Sequence, residues 1–194
     1  MRGVPTVNGV AGTLIPALDV ATQTGCGITT AIAATVASNI ATAGPSARSA
    51  MPSVVLIAGA TPGALNGESR VLTSSLTSIT WATAAADGAA TGTITIKYAP
   101  QSTWVSPFAK TNVKAYRSNH VQSHGHYLRV DDTGTTSARV RGYEAMTDID
   151  TGTGPFPTEA QIAAGGYWRK RTSASATAVP WRIFSDERTL LVAI

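Results

Sequence analysis

Residues 54–84 constrain the fold of this chain more than any other stretch. They open with a continuous apolar run, VVLIA, which is typical of a buried strand. A turn rich in Gly, Pro and Asn follows over residues 59–67, and two short runs of mixed polar and apolar residues come next, ending at Trp81. This order predicts a meander of short strands around one glycine-rich loop. The polar residues here are turn formers and neutral hydroxyls, so we interpret the stretch as a scaffold.

The composition extends this prediction to the whole chain. Thr, Ser, Gly and Ala dominate, and charged residues make up only 13% of the sequence, a mix that favours strands and turns over long helices. Two short helices are predicted. One covers residues 14–24 with Thr13 as its N-cap, and the other begins at Thr158, where Gln161 completes a capping box. We therefore expect a mainly β chain with two small β-sandwich-like or barrel-like domains and one or two short helices.

The uneven distribution of charge indicates a domain boundary. Residues 1–96 hold three basic and three acidic groups, whereas residues 97–194 hold twelve basic and eight acidic groups and so supply the whole net charge of +4. We place the boundary near this shift. The predicted segments are an extended N-terminal arm over residues 1–12, an N-terminal β domain over residues 13–99, a linker over residues 100–111, and a C-terminal β domain over residues 112–194.

Turn residues predict two hairpins in the first half. Residues 28–43 are rich in β-branched side chains, and the pair 38–39, Ser-Asn, breaks them into two strands. Residues 87–92 hold two glycines and one Asp, which favour a turn. We expect this second turn to join strands over residues 79–84 and 93–98.

Alternation predicts the faces of a hairpin in the second half, which joins residues 126–131 to residues 138–143. The inward residues are expected to be His126, Leu128, Val130, Ala138 and Val140. A second hairpin is predicted near the end of the sequence, over residues 180–184 and 189–194. Both predictions rest on short apolar runs bounded by turn formers.

A set of aromatic and basic residues in the second half is the candidate interaction surface. Alternation directs part of the set away from the core, and residues 167–171, YWRKR, add a second cluster. Arg, Tyr and Trp are the residues that protein contacts favour. An acidic protein partner is the preferred interpretation, with a solvated face and a nucleic-acid or glycan site as alternatives. The candidate interface residues are Tyr127, Arg129, Arg139, Arg141, Tyr143, Tyr167, Trp168, Arg169, Lys170 and Arg171.

Two motifs could bind a metal, but each departs from the pattern that binding needs. His120, His124 and His126 are close in sequence, yet Gly125 indicates a turn between them. Asp148 and Asp150 begin like a calcium loop, which then lacks its required glycine. We expect structural roles for both motifs, with no metal and no cofactor.

The sequence also lacks the motifs of common enzyme classes. It holds no nucleophile elbow, no phosphate-binding loop with its Lys and no dinucleotide fingerprint. The single cysteine, Cys26, is expected to be a small buried side chain. No stretch resembles a secretory signal or a membrane span, so we expect a protein made soluble in a host cytoplasm. We predict that it is not an enzyme.

Two parts of the sequence resemble proteins of tailed-bacteriophage particles. The stretch LIAGATPGALNGESRVLTSSLTSITW, followed by ADGAATGTITIK, looks like a β module found repeatedly in virion proteins of tailed phages. The stretches HYLRVDD and ARVRGYEAMTDIDTGTGPFPT are similar to a family of uncharacterised phage structural proteins. The resemblance implies a structural component of the virion and carries no enzymatic residues.

The resemblance and the composition together define the expected function. The first hypothesis is a capsid decoration or cement protein that binds the major capsid protein or other virion subunits and forms a homo-oligomer in the particle. The alternatives are a tail, neck or baseplate component, and a receptor-binding or glycan-binding module that uses Tyr167, Trp168 and Trp181 as stacking platforms. We expect neither a membrane nor a nucleic acid as partner.

Overall fold

The structure is a computed structural model that describes residues 4–45 and 54–194. It is mainly β, with 49% strand and 8% helix, which confirms the predicted fold class. The described chain divides into two compact units. Residues 25–45 and 54–99 form the first, here called the barrel unit, and residues 4–24 together with 100–194 form the second, here called the sheet unit.

The barrel unit is an antiparallel sheet that closes on itself. Its described strands are β1 (Cys26–Ala37), β2 (Ile40–Pro45), β3 (Val54–Ala58), β4 (Gly67–Ser74), β5 (Ile79–Ala82), β6 (Gly88–Ala90) and β7 (Thr95–Tyr98). The order β2-β5-β4-β3-β7-β1 closes because β1 also pairs with β2. The 12-residue β1 pairs with β7 near its start and with β2 and β6 further along. Register shifts interrupt the pairing of β1 with β7 and its pairing with β2, as strands at the corners of small barrels require.

The local predictions for the barrel unit hold except at one hairpin. Ser38 and Asn39 form the turn between β1 and β2 with φ angles of 53° and 62°, as a two-residue hairpin turn demands. The apolar run β3 pairs with the returning β4 as expected. The predicted hairpin between residues 79–84 and 93–98 is wrong, since β5 pairs with β2 and β4. β7 instead lies between β1 and β3 and pairs with both.

The barrel interior is filled by one indole together with alanine and branched aliphatic side chains. Trp81 on β5 is 1% exposed and is the largest fully buried side chain of the described residues. Ala41, Ala43, Val55 and Ile96 lie in the same core cluster. A barrel of six strands has little interior space, which alanines and branched aliphatic residues around one indole can fill.

The sheet unit contains a six-stranded antiparallel sheet, a short helix and a separate hairpin. The sheet strands are β8 (Trp104–Lys110), β9 (Val113–Ser118), β10 (Tyr127–Asp131), β11 (Ser137–Met146), β12 (Gly152–Phe156) and β13 (Gly166–Arg169). Their order is β12-β11-β10-β9-β8, with β13 also pairing with β11. The helix α1 (Leu14–Asp19) continues as a π-helical turn (Val20–Thr24), and the hairpin comprises β14 (Arg182–Ser185) and β15 (Leu190–Ala193).

The predicted hairpin faces explain the core of the sheet unit. β10 and β11 pair in the expected register, with Tyr127 opposite Tyr143 and Val130 opposite Val140. Val130 and Ala138 are fully buried, in one cluster with Leu14 and Leu18 of α1. The apolar stripe of α1 therefore packs with the inward face of this sheet.

The N-terminal boundary of the units differs from the predicted one. Residues 4–24 group with residues 100–194, whereas we expected residues 13–24 in the first domain and residues 1–12 as an extended arm. Val7 is fully buried, and its backbone bridges Val179 within the sheet unit. The segment is ordered by its own chain because its apolar residues complete this core. Residues 1–3 of the predicted arm lie outside the described residues.

Residues 100–111 also differ from the predicted linker. They contain β8, which pairs with β9 and forms an edge of the sheet. Pro107 lies within this strand, and an edge strand tolerates the missing N–H of proline.

The helix predicted at Thr158 does not form, although its capping box does. The Thr158 backbone N–H donates to Gln161 Oε1 at 2.9 Å, and the Gln161 N–H donates to Thr158 Oγ1 at 3.3 Å. The chain then turns at Ala164 and Gly165, which have φ angles of 59° and 87°. The segment between the cap and this stop is too short to offset the unfavourable nucleation of a helix.

Candidate functional site

The structure distributes the predicted interface residues over two faces of the β10–β11–β13 sheet. Tyr167 pairs with Arg139, and Trp168 pairs with Ala138. Because paired residues lie on the same side of a sheet, Tyr167 shares the outer face with Arg139. Trp168 lies on the inner face and packs against the core cluster that contains Ala138.

The basic side chains of the outer face already have acidic or aromatic partners. Arg129 lies 3.0 Å from Asp150 and 3.4 Å from Asp131. Arg141 lies 2.6 Å from Glu159. The Arg139 guanidinium stacks 3.6 Å from the centre of the Tyr167 ring. The outer face is thus a mixed network, with much of its positive charge compensated inside the chain.

The ion pairs shift the pKa values of the exposed carboxyl groups. Hydrogen bonding to Lys110, and then to Arg129, lowers the pKa of Asp150. Hydrogen bonding to Arg141 lowers the pKa of Glu159 in the same way. Both acids are therefore stabilised in their charged form.

These shifts predict a loss of stability in acid. A carboxyl group whose folded pKa is lowered stabilises the fold above its unfolded pKa of about 4, and that stabilisation disappears as the pH falls through the folded pKa. We expect the melting temperature to fall below about pH 4, and to fall less steeply in the double variant Asp150→Asn and Glu159→Gln. Melting curves between pH 7 and pH 2 measure this. Equal slopes for the double variant and the parent would contradict it.

The run of three basic residues after Trp168 does not form one surface. Arg169 is exposed, and Arg171 donates to the Thr177 carbonyl at 2.7 Å. Lys170 is fully buried and makes an ion pair with Asp132. Tyr143 remains on the outer face, where its ring fills the space above Gly152. The prediction that Lys170 belongs to an exposed interface is therefore wrong, because its side chain is buried in an ion pair with Asp132.

An open groove on the inner face was not predicted as a site. It has a volume of about 770 Å³, and it lies where the sheet extends beyond the buried core cluster. The residues that define it are Trp104, His124, His126, Leu128, Val140, Phe156, Trp168 and Arg188. Alternation assigned His126, Leu128 and Val140 to this face, but only the tertiary structure shows that part of the face is uncovered.

A row of three rings forms one wall of the groove. The His124 and His126 rings stack with their centres 5.7 Å apart. The edge of the Phe156 ring meets His126 at 5.3 Å. Phe156 lies over Gly142, where any side chain would collide with its ring. The missing side chain of Gly142 thus fixes the position of the third ring.

The outer side of the β14–β15 hairpin exposes a second apolar surface. Phe184 and Leu191 are cross-strand partners and are 58% and 61% exposed. On the opposite side, Ile183 is buried in the core of the sheet unit. Phe184 and Leu191, with the exposed Arg182 beside them, are here called the hairpin face.

The two motifs considered for metals have local structural contacts. His120 Nδ1 accepts a hydrogen bond from the Gln122 backbone N–H at 3.2 Å. Asp148 accepts one from the Asp150 N–H at 2.7 Å, as in a tight turn. Within the described part of the chain, no group of three or more His, Cys, Asp or Glu side chains is placed to hold a metal.

Comparisons with known proteins add no further assignment. No protein-family model, no curated protein and no solved structure matches this chain. In the described residues, no helix has both the length and the apolarity needed to span a bilayer.

Proposed function

We propose that this protein is a non-enzymatic structural subunit of a tailed-bacteriophage virion, and more specifically a capsid decoration or cement protein. The resemblance of the sequence to phage virion proteins supports the general proposal. The hairpin face supports a docking role, since it is an uncovered apolar surface on the side of the hairpin opposite its buried residue Ile183. The expected partners are the major capsid protein and neighbouring copies of this chain.

The energetics of the hairpin face suit a contact with another subunit. Phe184 and Leu191 lie directly opposite each other, so they form one continuous apolar patch. Exposed apolar patches with polar surroundings are typical of protein contacts. Covering the exposed part of two such side chains would stabilise a contact by about 2–3 kcal/mol. Because association costs more than this in lost translational and rotational freedom, the hairpin face would be one part of a larger interface.

A particle-binding assay tests this proposal. Purified protein is added to phage heads assembled without it, and the heads are then separated from tails and analysed on a quantitative gel. We expect binding to heads at a copy number on the order of hundreds, and greater thermal stability of the decorated heads. The double variant Phe184→Ser and Leu191→Ser should bind heads at least tenfold more weakly, while its own stability changes by about 1 kcal/mol or less.

Val121→Ser is the matched control. Val121 is 93% exposed on a loop, so its replacement also removes exposed apolar area but leaves the hairpin face intact. This variant should bind heads like the parent. Unchanged binding of the double variant would overturn the role of the hairpin face. Recovery of the protein only with tails, at low copy number, would favour a tail, neck or baseplate component.

A further inference from the structure

We propose that the open groove of the sheet unit binds an acidic saccharide. This inference does not depend on the hairpin face or on capsid decoration. It rests on three features of the groove: the ring row, its charge and the polar groups at its edge.

The rings of the groove match the apolar faces of a sugar. His124 and His126 stack on each other and Phe156 meets His126 edge to face, and all three residues are exposed, so their free faces and edges line the groove. Trp168 adds a half-buried indole to the lining. The electron-rich face of an aromatic ring attracts the C–H groups of a pyranose, as it attracts the positive edge of another ring. A row longer than one ring suits an oligosaccharide better than a single compact ligand.

The charge of the groove selects an acid. Its lining includes Arg141 and Arg188, and no Asp or Glu belongs to it. Arg141 belongs to the lining, but its guanidinium pairs with Glu159 in the network of the outer face and adds no free charge to the groove. Arg188 is exposed and makes no ion pair within the described chain. A guanidinium at one end of an apolar groove can bind a carboxylate in bidentate geometry.

The polar groups at the edge of the groove can bind the hydroxyl groups of a sugar. The positive charge of the groove is too low for a nucleic acid. Gln122 offers an exposed amide, and each imidazole of the ring row offers a donor or an acceptor. A single-stranded nucleic acid would place a phosphate at every nucleotide and would require a basic channel. One arginine without an ion pair, although close enough to Asp186 to interact with its charge, fits a ligand with one acidic group per binding site.

Titration with a matched pair of sugars tests the proposal on the intact protein. The probes are a tetrasaccharide of neutral sugars that ends in one galacturonic acid and the methyl ester of the same compound, which keeps the rings but lacks the charge. Tryptophan fluorescence and calorimetry report binding. We expect saturable binding of the acid, and binding of the ester at least tenfold weaker. Arg188→Gln should weaken binding of the acid by a similar factor and leave binding of the ester unchanged, whereas Phe156→Ala should weaken both.

Two control variants lie outside the groove. Arg182→Gln removes an exposed arginine from the hairpin face, and Tyr167→Ala removes an exposed ring from the outer face. Neither variant should change sugar binding. Arg188→Gln should not change binding to heads. A failure of the saccharide proposal can therefore be told apart from a failure of the proposed function. Absence of saturable sugar binding would overturn the proposal. Saturable binding of an apolar peptide with one Asp, without binding of the sugar, would reassign the groove to a protein partner.

Discussion

Replacing Lys170 with Met is expected to lower the free energy of unfolding by about 3–5 kcal/mol. The side chains of Lys170 and Asp132 are both fully buried and form an ion pair. The Lys170 ammonium also donates to the Val10 carbonyl at 2.8 Å. Removing the lysine leaves a carboxylate in the core without its counter-charge, and such a charge is far more destabilising than a neutral gap. Chemical denaturation of the variant and the parent at pH 7 measures the difference.

The large effect also reflects what Asp132 holds in place. Its Oδ2 accepts a hydrogen bond from the Leu14 backbone N–H at 2.7 Å, which caps the first turn of α1. Its own carbonyl accepts a bond from the Gly12 N–H at 2.8 Å. One ion pair therefore links the N-terminal segment, α1 and the end of β10. Asp132→Asn should be destabilising to a similar degree, because it leaves the ammonium unpaired and weakens the cap.

The pH dependence of the Lys170→Met variant follows from the same geometry. Burial raises the pKa of Asp132, while the bonds from Lys170 and the Leu14 N–H oppose that rise. Without the lysine the folded pKa rises further. An acid with a raised folded pKa stabilises the fold below its unfolded pKa of about 3.9, and this contribution is lost as the pH rises through the folded pKa. The deficit of the variant should therefore be smallest near pH 4 and grow toward neutral pH.

Arg169→Met is the control for this prediction. Arg169 precedes Lys170 in the chain but is exposed, so its loss should change stability by about 0.5 kcal/mol or less. The double variant with Asp132→Asn and Lys170→Met should be less destabilised than the sum of the single variants, since no charge is then left unpaired. If Lys170→Met lowered the free energy of unfolding by less than about 1 kcal/mol, the stabilising role of the Lys170–Asp132 pair would be contradicted.

The wrong prediction for Lys170 shows what a local sequence pattern cannot predict. Alternation correctly separated Arg139 from Ala138, because the period of a strand is a local property. The partner of Lys170 is Asp132, which is 38 residues away. Only the antiparallel registers of β10, β11 and β13 bring the two residues together. A basic residue in a run of basic residues looks exposed until that pairing is known.

Local sequence signals predicted some elements correctly and failed for others. The apolar run of β3 and the Ser38–Asn39 turn are encoded in a few adjacent residues, and both were predicted. The capping box at Thr158 is encoded just as locally, yet no helix follows it. A cap satisfies the first backbone groups of a helix but cannot supply the packing that stabilises the rest. The groove was missed for a related reason, since the sequence does not show how much of a sheet face is covered.

Replacing Trp81 with Ala is expected to destabilise the barrel unit by about 3–5 kcal/mol. The indole is 1% exposed and lies in a cluster made mostly of small side chains and strand-borne Val and Ile. Small neighbours on a closed sheet cannot move inward far enough to fill the space it leaves. Urea unfolding followed by the amide signals of Ile57 and Ile96, which are paired core residues, measures the loss.

The variant Trp81→Phe separates two contributions to stability, the packing of the ring and the penalty of its unpaired N–H group. Trp81 Nε1 is buried and has no hydrogen-bond partner in the described chain. An unpaired buried donor destabilises the fold by about 1–3 kcal/mol, so the loss of this N–H should offset much of the cavity that the smaller ring leaves. We expect the free energy of unfolding of Trp81→Phe to lie within about 1.5 kcal/mol of the parent value. Ala82→Ser, at the exposed neighbouring position, should have the same free energy of unfolding as the parent. If Phe were as destabilising as Ala, shape alone would determine this core, and the unpaired N–H would carry no penalty.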